Sequence, residues 1–460
     1  MRDRLREAFG DRVSFSPSVL EAHGRDEGYP EARPVDAVVF AEDAEDVKTL
    51  LRLAGELEFA VIPFGAGTSL EGHLIPVNKP TVSLDLSRMN RILEVRPEDF
   101  LAVVEPGVTR EELNRRLRPH GLFFPVDPGA NATLGGMAAT NASGTTTVRY
   151  GGMRANVLAL EAVMANGERV RFGRPVRKTS AGYDLKDLLI GSEGTLGVIV
   201  KLYLRLHPLP AQVHALRAFF PTVEDAAGAA YALMGAGLPV ARLELVDDQA
   251  LRAVNRYLEK NYPERPALFI EFHSSTEAAL AAERAVAEEL IADHDPIEVA
   301  AAATPEEQKA QWEARHQAYW ALVHRFPNRK YAITDTAVPL SRFPELIAYA
   351  KEQMELLGLE GSILGHVGDG NFHTIVAVRE EDYARAEAYV ERLVERALEL
   401  EGTISGEHGV GLRKKKYMER EHGPAVSWMR KLKAAFDPKG ILNPGKVLPS
   451  SSSPPGPLGS

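Results

Sequence analysis

Residues 126–152 read VDPGANATLGGMAATNASGTTTVRYGG, a stretch dense in Gly, Ala, Asn, Ser and Thr and almost free of charge. Such short side chains let backbone amides come close to a bulky polar ligand, because nothing stands between. A flexible linker can share this composition, but apolar residues are interleaved here and strand-like runs flank the stretch, so it reads as part of a folded domain. Four Gly-centred segments share the character: Pro63-Phe64-Gly65-Ala66-Gly67-Thr68-Ser69, Asn131 to Gly136, Asn141-Ala142-Ser143-Gly144, and Gly191 to Gly197. Four within the first 200 residues point to one extended ligand bearing a pyrophosphate. The first segment is not a dinucleotide fingerprint, since the third Gly is missing at its spacing, nor a P-loop, since no Gly-Lys-Ser/Thr follows.

Outward from this stretch, short apolar runs start at Ala37, Ala60, Thr81, Arg91 and Leu101. Between them Asp43 and Thr109 are placed to head helices, the second with Glu112 three residues on as a capping box. Ser16-Pro17 reads as an N-cap followed by proline at the first helical position. After His207-Pro208-Leu209-Pro210 a second unit begins, with strand-like ALRAFF, ARLELV, ALFIEF and KYAITDT separated by long helical stretches. The alternation predicts an α+β fold. One helix starting at Thr304-Pro305 is expected to carry Trp312, Arg315 and Tyr319 on one face. The expected organisation is an N-terminal helical segment over 1–32, a ligand-binding domain over 33–210, a second domain over 211–400, a returning segment over 401–448, and a disordered low-complexity tail over 449–460.

The chain has 460 residues and a net charge of -10. That balance argues against nucleic acid as the main partner, which would draw on clustered Lys and Arg. The one basic run, Arg413-Lys414-Lys415-Lys416, is read first as a solvated helix face. Steering of an anionic substrate or contact with anionic lipid is the alternative. No cysteine is present, so thiolate and iron–sulfur chemistry are excluded and electrons can leave only through another carrier. No transmembrane segment is expected, and MRDRLREAFG lacks the apolar stretch of a signal peptide. A cytoplasmic chain follows, peripheral at a membrane only through a partner. Homo-oligomerisation is left open.

Residues 365–373, GHVGDGNFH, followed by Glu407 in GEHG, suggest a metal site. A Gly368-Asp369-Gly370-Asn371 turn would pair His366 directly with His373 on one strand face. Glu407 would complete three ligands and leave a position for substrate. Zinc suits two His and one Glu first; manganese and iron accept the same donors. His408 beside Glu407 is the candidate base, with support of the metal site as its alternative role. Arg315 offers paired donors to a carboxylate, with a surface salt bridge on a charged helix as its alternative role.

In order, PFGAGTSLEGH, DPGANATLGGMAATNASGT, YDLKDLLIGSEGTLGVI, TDTAVPLSR, GHVGDGNFH, GEHGVG and LNPGK resemble the FAD-linked oxidases of the vanillyl-alcohol oxidase superfamily. The likeness is to the branch holding D-lactate dehydrogenases, the FAD-binding subunit of glycolate oxidase and D-2-hydroxyglutarate dehydrogenase, and it covers residues 33–448. It implies a two-lobed FAD-binding domain with an α+β cap domain. By position it places Pro63 to Ser69, Pro128, Thr133, Leu134, Gly135, Gly136, Asn141, Ala142, Ser143, Gly144, Glu193, Gly194, Gly197 and Ile199 along the FAD. Thr68 stands where some relatives attach FAD through a His, so the FAD is expected to be non-covalent.

The implied reaction is oxidation of a small D-2-hydroxy acid, D-lactate or glycolate, to the 2-oxo acid, with hydride passing to flavin N5. Relatives acting on 2-hydroxyglutarate are expected to carry a basic residue where this chain has Ile333, with Lys330 nearby but out of register. The diacid therefore remains the alternative substrate. A flavin-carrying subunit of a multi-subunit electron-transfer complex, weakly active alone, is the alternative of another class. The electron acceptor, whether a partner subunit, a quinone, a soluble carrier or oxygen, is left open.

Overall fold

The computed structural model describes residues 1–77, 79–302 and 304–450; from residue 451 on, the expected tail lies outside the described residues. The chain forms two units. The first comprises Met1–Ser143, Gly151–Leu209 and the residues from Glu407 on; the second comprises Gly144–Tyr150 and Pro210–Gly406. The sequence reading put the last division at 400/401. Residues 401–406 stay with the second unit because Thr403 exchanges backbone hydrogen bonds with Ala337, and the Gly406 amide donates to the Asp335 carbonyl at 3.2 Å.

In the first unit a four-stranded sheet has the order Val13–Ser14, Ala37–Phe40, Thr81–Asp85, Ala60–Phe64, parallel apart from its first strand. The N-terminal segment thus supplies an edge strand as well as the helices Arg2–Phe9 and Pro17–His23. Helix Ala44–Leu57 is capped by Asp43, whose carboxylate accepts from the amides of Glu45 and Asp46. The chain's return closes this lobe. Val61 donates to Ile441 and accepts from Asn443, at 2.8 and 2.9 Å, adding Leu442 as a parallel bridge.

The other lobe of this unit is a five-stranded antiparallel sheet ordered Ile92–Arg96, Leu101–Val104, Val198–Arg205, Val157–Val163, Arg169–Gly173. Helix Arg110–Leu117 opens with the reciprocal Thr109–Glu112 capping box. Helix Leu134–Thr140 packs its buried Leu134, Met137 and Ala138 into the same core.

The second unit is built on an antiparallel sheet ordered Glu298–Ala302, Gln212–Phe219, Ala267–Ser274, Val240–Val246, Glu360–His366, Asn371–Val378, Lys330–Ile333, with Thr336–Ala337 also paired to Asn371–Val378. Side chains alternate between its faces. One face, carrying Leu243, Leu245, Ile363, Phe372 and Val376, packs on helices Val223–Gly235, Phe343–Leu356 and Tyr383–Glu399. The opposite face carries Val246, Phe269, Leu364 and Ile375 under helices Asp248–Tyr257, Pro305–His316 and Ala318–Arg325.

The expected single helix from Thr304 is two helices. Thr304 caps the first as read from sequence, but the helix ends at His316 and Gln317 separates it from Ala318–Arg325. Tyr319 therefore sits on a different helix from Trp312 and Arg315, and its ring packs against Trp320 and Tyr331 instead.

Candidate active site

The two histidines lie at the tight hairpin between Glu360–His366 and Asn371–Val378 in the second unit. The expected register is corrected. His366 pairs with Asn371, and His373 pairs with Leu364, because the turn spans Val367 to Gly370 rather than Gly368 to Asn371. Gly370, at φ 70°, takes the left-handed position the turn requires. A shift of two residues keeps every side chain on its face, whereas a shift of one would have separated the rings. His366 and His373 are thus diagonal neighbours, with ring centroids 5.5 Å apart and planes at 86°.

Each ring has its Nδ1 committed. His366 Nδ1 donates to Glu244 Oε1 at 2.6 Å, and His373 Nδ1 donates to the Thr334 carbonyl at 3.1 Å. Carboxylate and carbonyl oxygens only accept, so Nδ1 carries the proton in both rings and metal ligation would run through Nε2. Two imidazole Nε2 donors on adjacent strands suit a divalent ion of the zinc type.

Glu244 was not foreseen, although the alternating polar residues of ARLELV, Arg242 and Glu244, already signalled a polar row on one strand face. Its side chain has no exposed surface, and its Oε2 accepts from Arg315 Nε at 2.8 Å and lies 2.6 Å from Arg315 Nη2. Burial opposes its ionisation, but His366 and Arg315 outweigh that and hold its carboxyl below the ordinary range. Two donors of Arg315, the residue assigned to a substrate carboxylate, are thereby engaged inside the protein.

Asp335 was also missed. Its Oδ1 accepts from Asn371 Nδ2 at 3.0 Å and its Oδ2 from Ser405 Oγ at 2.8 Å. Ile333 pairs with Ile375, which puts it on the sheet face that carries His373; Lys330, three residues away, is exposed.

In the first unit, Pro63 and Phe64 end a strand and Gly65 to Ser69 follow as a loop. Among the described residues, the amides of Gly65, Ala66, Gly67, Thr68 and Ser69 donate to no protein group. A Cβ on Gly65 would lie 2.3 Å from Thr133 Oγ1, and one on Gly135 would lie 2.4 Å from Pro106 Cβ. Consecutive unpaired amides beside close-packed glycines fit the phosphates of FAD.

The other expected FAD residues divide by side chain. Thr133 caps helix Leu134–Thr140, and Asn141 ends it at φ 52°. Leu134, Ala142 and Ile199 are buried in the core, and Gly197 abuts Leu189. Ser69 Oγ donates to Asp26 at 2.8 Å. Pro128 is half-buried in a loop, and Gly194 takes φ 71° against Pro63. Gly144 falls in the second unit. Glu193 turns its carboxylate to the amides of Val410 and Gly411.

Glu407 opens the returning segment of the first unit, where Ser143 Oγ donates to its Oε2 at 2.8 Å. His408 Nδ1 lies 3.6 Å from Glu71 Oε1. The basic run is a solvated face only at Lys416. Lys414 is buried with its Nζ 3.2 Å from Glu71, Arg413 also reaches Glu71, and Lys415 donates to the Gly445 carbonyl at 2.9 Å. Burial opposes ionisation of Glu71, but Lys414, His408 and Arg413 bring its carboxyl to about 2. Among the described residues no helix is long and apolar enough to cross a membrane.

Comparison with known proteins follows the same division. The FAD binding domain family matches residues 35–173, and the C-terminal domain family of FAD linked oxidases matches residues 209–447. A probable mitochondrial D-lactate dehydrogenase of Danio rerio is 43% identical over 452 residues, 96% of this chain and 90% of that protein. The glycolate oxidase subunit GlcD of Bacillus subtilis is 33% identical, covering 90% of this chain and 89% of its own. Among solved structures, p-cresol methylhydroxylase with substrate bound superposes with a TM-score of 0.78 at 17% identity, over 97% of this chain and 95% of that one. The fold is α+β, of the vanillyl-alcohol oxidase type. The chain belongs to the FAD-linked oxidases and is an FAD-dependent oxidoreductase.

Proposed function

We propose that this chain oxidises a small D-2-hydroxy acid, D-lactate first and glycolate next, using non-covalently bound FAD and one divalent metal ion, zinc before manganese or iron. The observation that carries the reading is the fixed tautomer of both hairpin histidines, each with Nδ1 committed on one sheet face. Glu407 is assigned as third ligand. It follows Gly406, whose amide is anchored on the Asp335 carbonyl. When bound, FAD supplies the two-electron acceptor and the ion supplies a Lewis acid for the substrate hydroxyl.

The chain's own residues hold and orient. His408 Nδ1, steadied near Glu71 Oε1, makes this imidazole the candidate to take the hydroxyl proton. The remaining guanidinium edge of Arg315, beyond the two donors held by Glu244, is assigned to the substrate carboxylate. Ile333, apolar on the His373 face, offers nothing to a second carboxylate, which favours a monocarboxylate over 2-hydroxyglutarate. The relatives named D-lactate dehydrogenase, at 32–43% identity, support the first substrate; the GlcD relative supports the second.

The test is anaerobic reduction of the bound flavin by D- and L-lactate, glycolate, malate and D- and L-2-hydroxyglutarate, before chelation, after it, and after zinc is restored. The reading expects D-lactate to bleach the flavin, chelation to stop this with FAD retained, and zinc to restore it. Bleaching by none of these acids, or bleaching indifferent to chelation, overturns it.

A further inference from the structure

Glu244 is a buried carboxylate with two partners of different use. One oxygen accepts a hydrogen bond from His366 Nδ1 at 2.6 Å; the other accepts from Arg315 Nε at 2.8 Å and lies 2.6 Å from Arg315 Nη2. It lies at the centre of Val240–Val246, a strand paired to Glu360–His366, on the face that bears both hairpin histidines. A carboxylate buried there without partners would be strongly destabilising. A purely structural strand position would be filled more cheaply by an apolar side chain, as Val246 and Phe269 fill the neighbouring positions.

We infer that Glu244 is a positioning residue that couples the two halves of the site: it sets the orientation of the metal-ligating His366 and, with its other oxygen, the edge from which Arg315 presents its remaining donors to substrate. The inference rests on the function proposed above. Its physical basis is that a carboxylate accepts at both oxygens, whereas an amide accepts at one and donates at the other. Glu244→Gln can therefore satisfy His366 or Arg315, but not both.

The decisive variant is E244Q, purified with FAD and compared with the parent in two measurements. The first is zinc affinity, by competition with a chromophoric chelator, without substrate or turnover. The second is the separation of KM from kcat for D-lactate. The expected result is a fall in zinc affinity of about 10- to 100-fold, the usual effect of losing an outer partner of a ligating histidine, or a rise of about tenfold or more in KM, according to which partner the amide abandons. Arg315→Lys keeps a charge near Glu244 but loses the planar fork. It is expected to raise KM with zinc affinity within about threefold of the parent.

If E244Q fails to fold, Glu244→Asp serves: one methylene shorter, it cannot span both partners, and the same loss in one measurement is expected. A folded variant with zinc affinity and KM both within about twofold of the parent overturns the inference, even if its melting temperature falls. A parent that holds no zinc and reduces its flavin unaided overturns the metal reading itself, an outcome visible before any variant is made.

Discussion

The carboxylate of Glu193 accepts from the backbone amides of Val410 and Gly411 at 2.6 and 2.8 Å, and so ties the returning segment of the chain to the rest of the first unit. Glu193 is buried and held at φ 54°, a conformation uncommon outside glycine. His73 Nε2 lies 3.2 Å from its Oε2. Burial opposes ionisation of Glu193, but His73 and the two amides overcome it and keep the carboxyl below its usual range. Asn443 reinforces the tie, its Nδ2 donating to the Glu193 carbonyl at 2.8 Å.

Glu193→Ala leaves the buried Gly411 amide and the part-buried Val410 amide without an acceptor, and removes the nearest counter-charge of His73. A loss of about 3–5 kcal/mol is expected in urea unfolding. Glu193→Gln, which keeps one acceptor, is expected to lose less.

Glu71 gives a pH signature. Its carboxyl is lowered to about 2 from an ordinary value near 4.5. A depressed carboxylate contributes stability that is present above the unfolded value and is lost as pH falls through the folded one. The contribution of about 3 kcal/mol at neutral pH therefore declines between pH 4.5 and 2. Glu71→Gln is expected to flatten the acid limb of a stability-against-pH curve over that window; an unchanged limb would refute the assignment.

Gly65→Ala places a methyl group against Thr133 Oγ1, which is itself engaged as the cap of Leu134–Thr140. The loop must move, and its amides lose their aim at a phosphate. FAD retention, read as the ratio of 450 to 280 nm absorbance after gel filtration, is expected to correspond to binding at least about tenfold weaker, with circular dichroism unchanged.

Asp335→Asn tests the anchor before Glu407. Its two oxygens accept from Asn371 and Ser405, and an amide cannot serve both donors. Zinc affinity measured by chelator competition is expected to drop about 10-fold or more, with little change in KM. Unaltered zinc affinity would show that Glu407 needs no such anchor.

Local chemistry made much of this protein readable in one dimension. Thr109 with Glu112, Asp43 and Thr304 each cap the helix they were expected to cap, since a cap needs only residues within one turn. The strands starting at Ala37, Ala60, Thr81 and Leu101 begin where their apolar runs begin. His366 and His373 share a face despite the misread turn, because a strand's period of two survives a slip of two. Tertiary structure alone decided the partners. Glu244 meets His366 across 122 residues only because their strands are neighbours in the sheet. Lys414 leaves solvent, and Arg413 leaves part of it, only because Glu71 is buried where the returning segment passes. Periodicity and capping are properties of adjacent residues. Which buried charge is neutralised by which partner depends on strand order and chain return, and desolvation sets the cost of a wrong pairing.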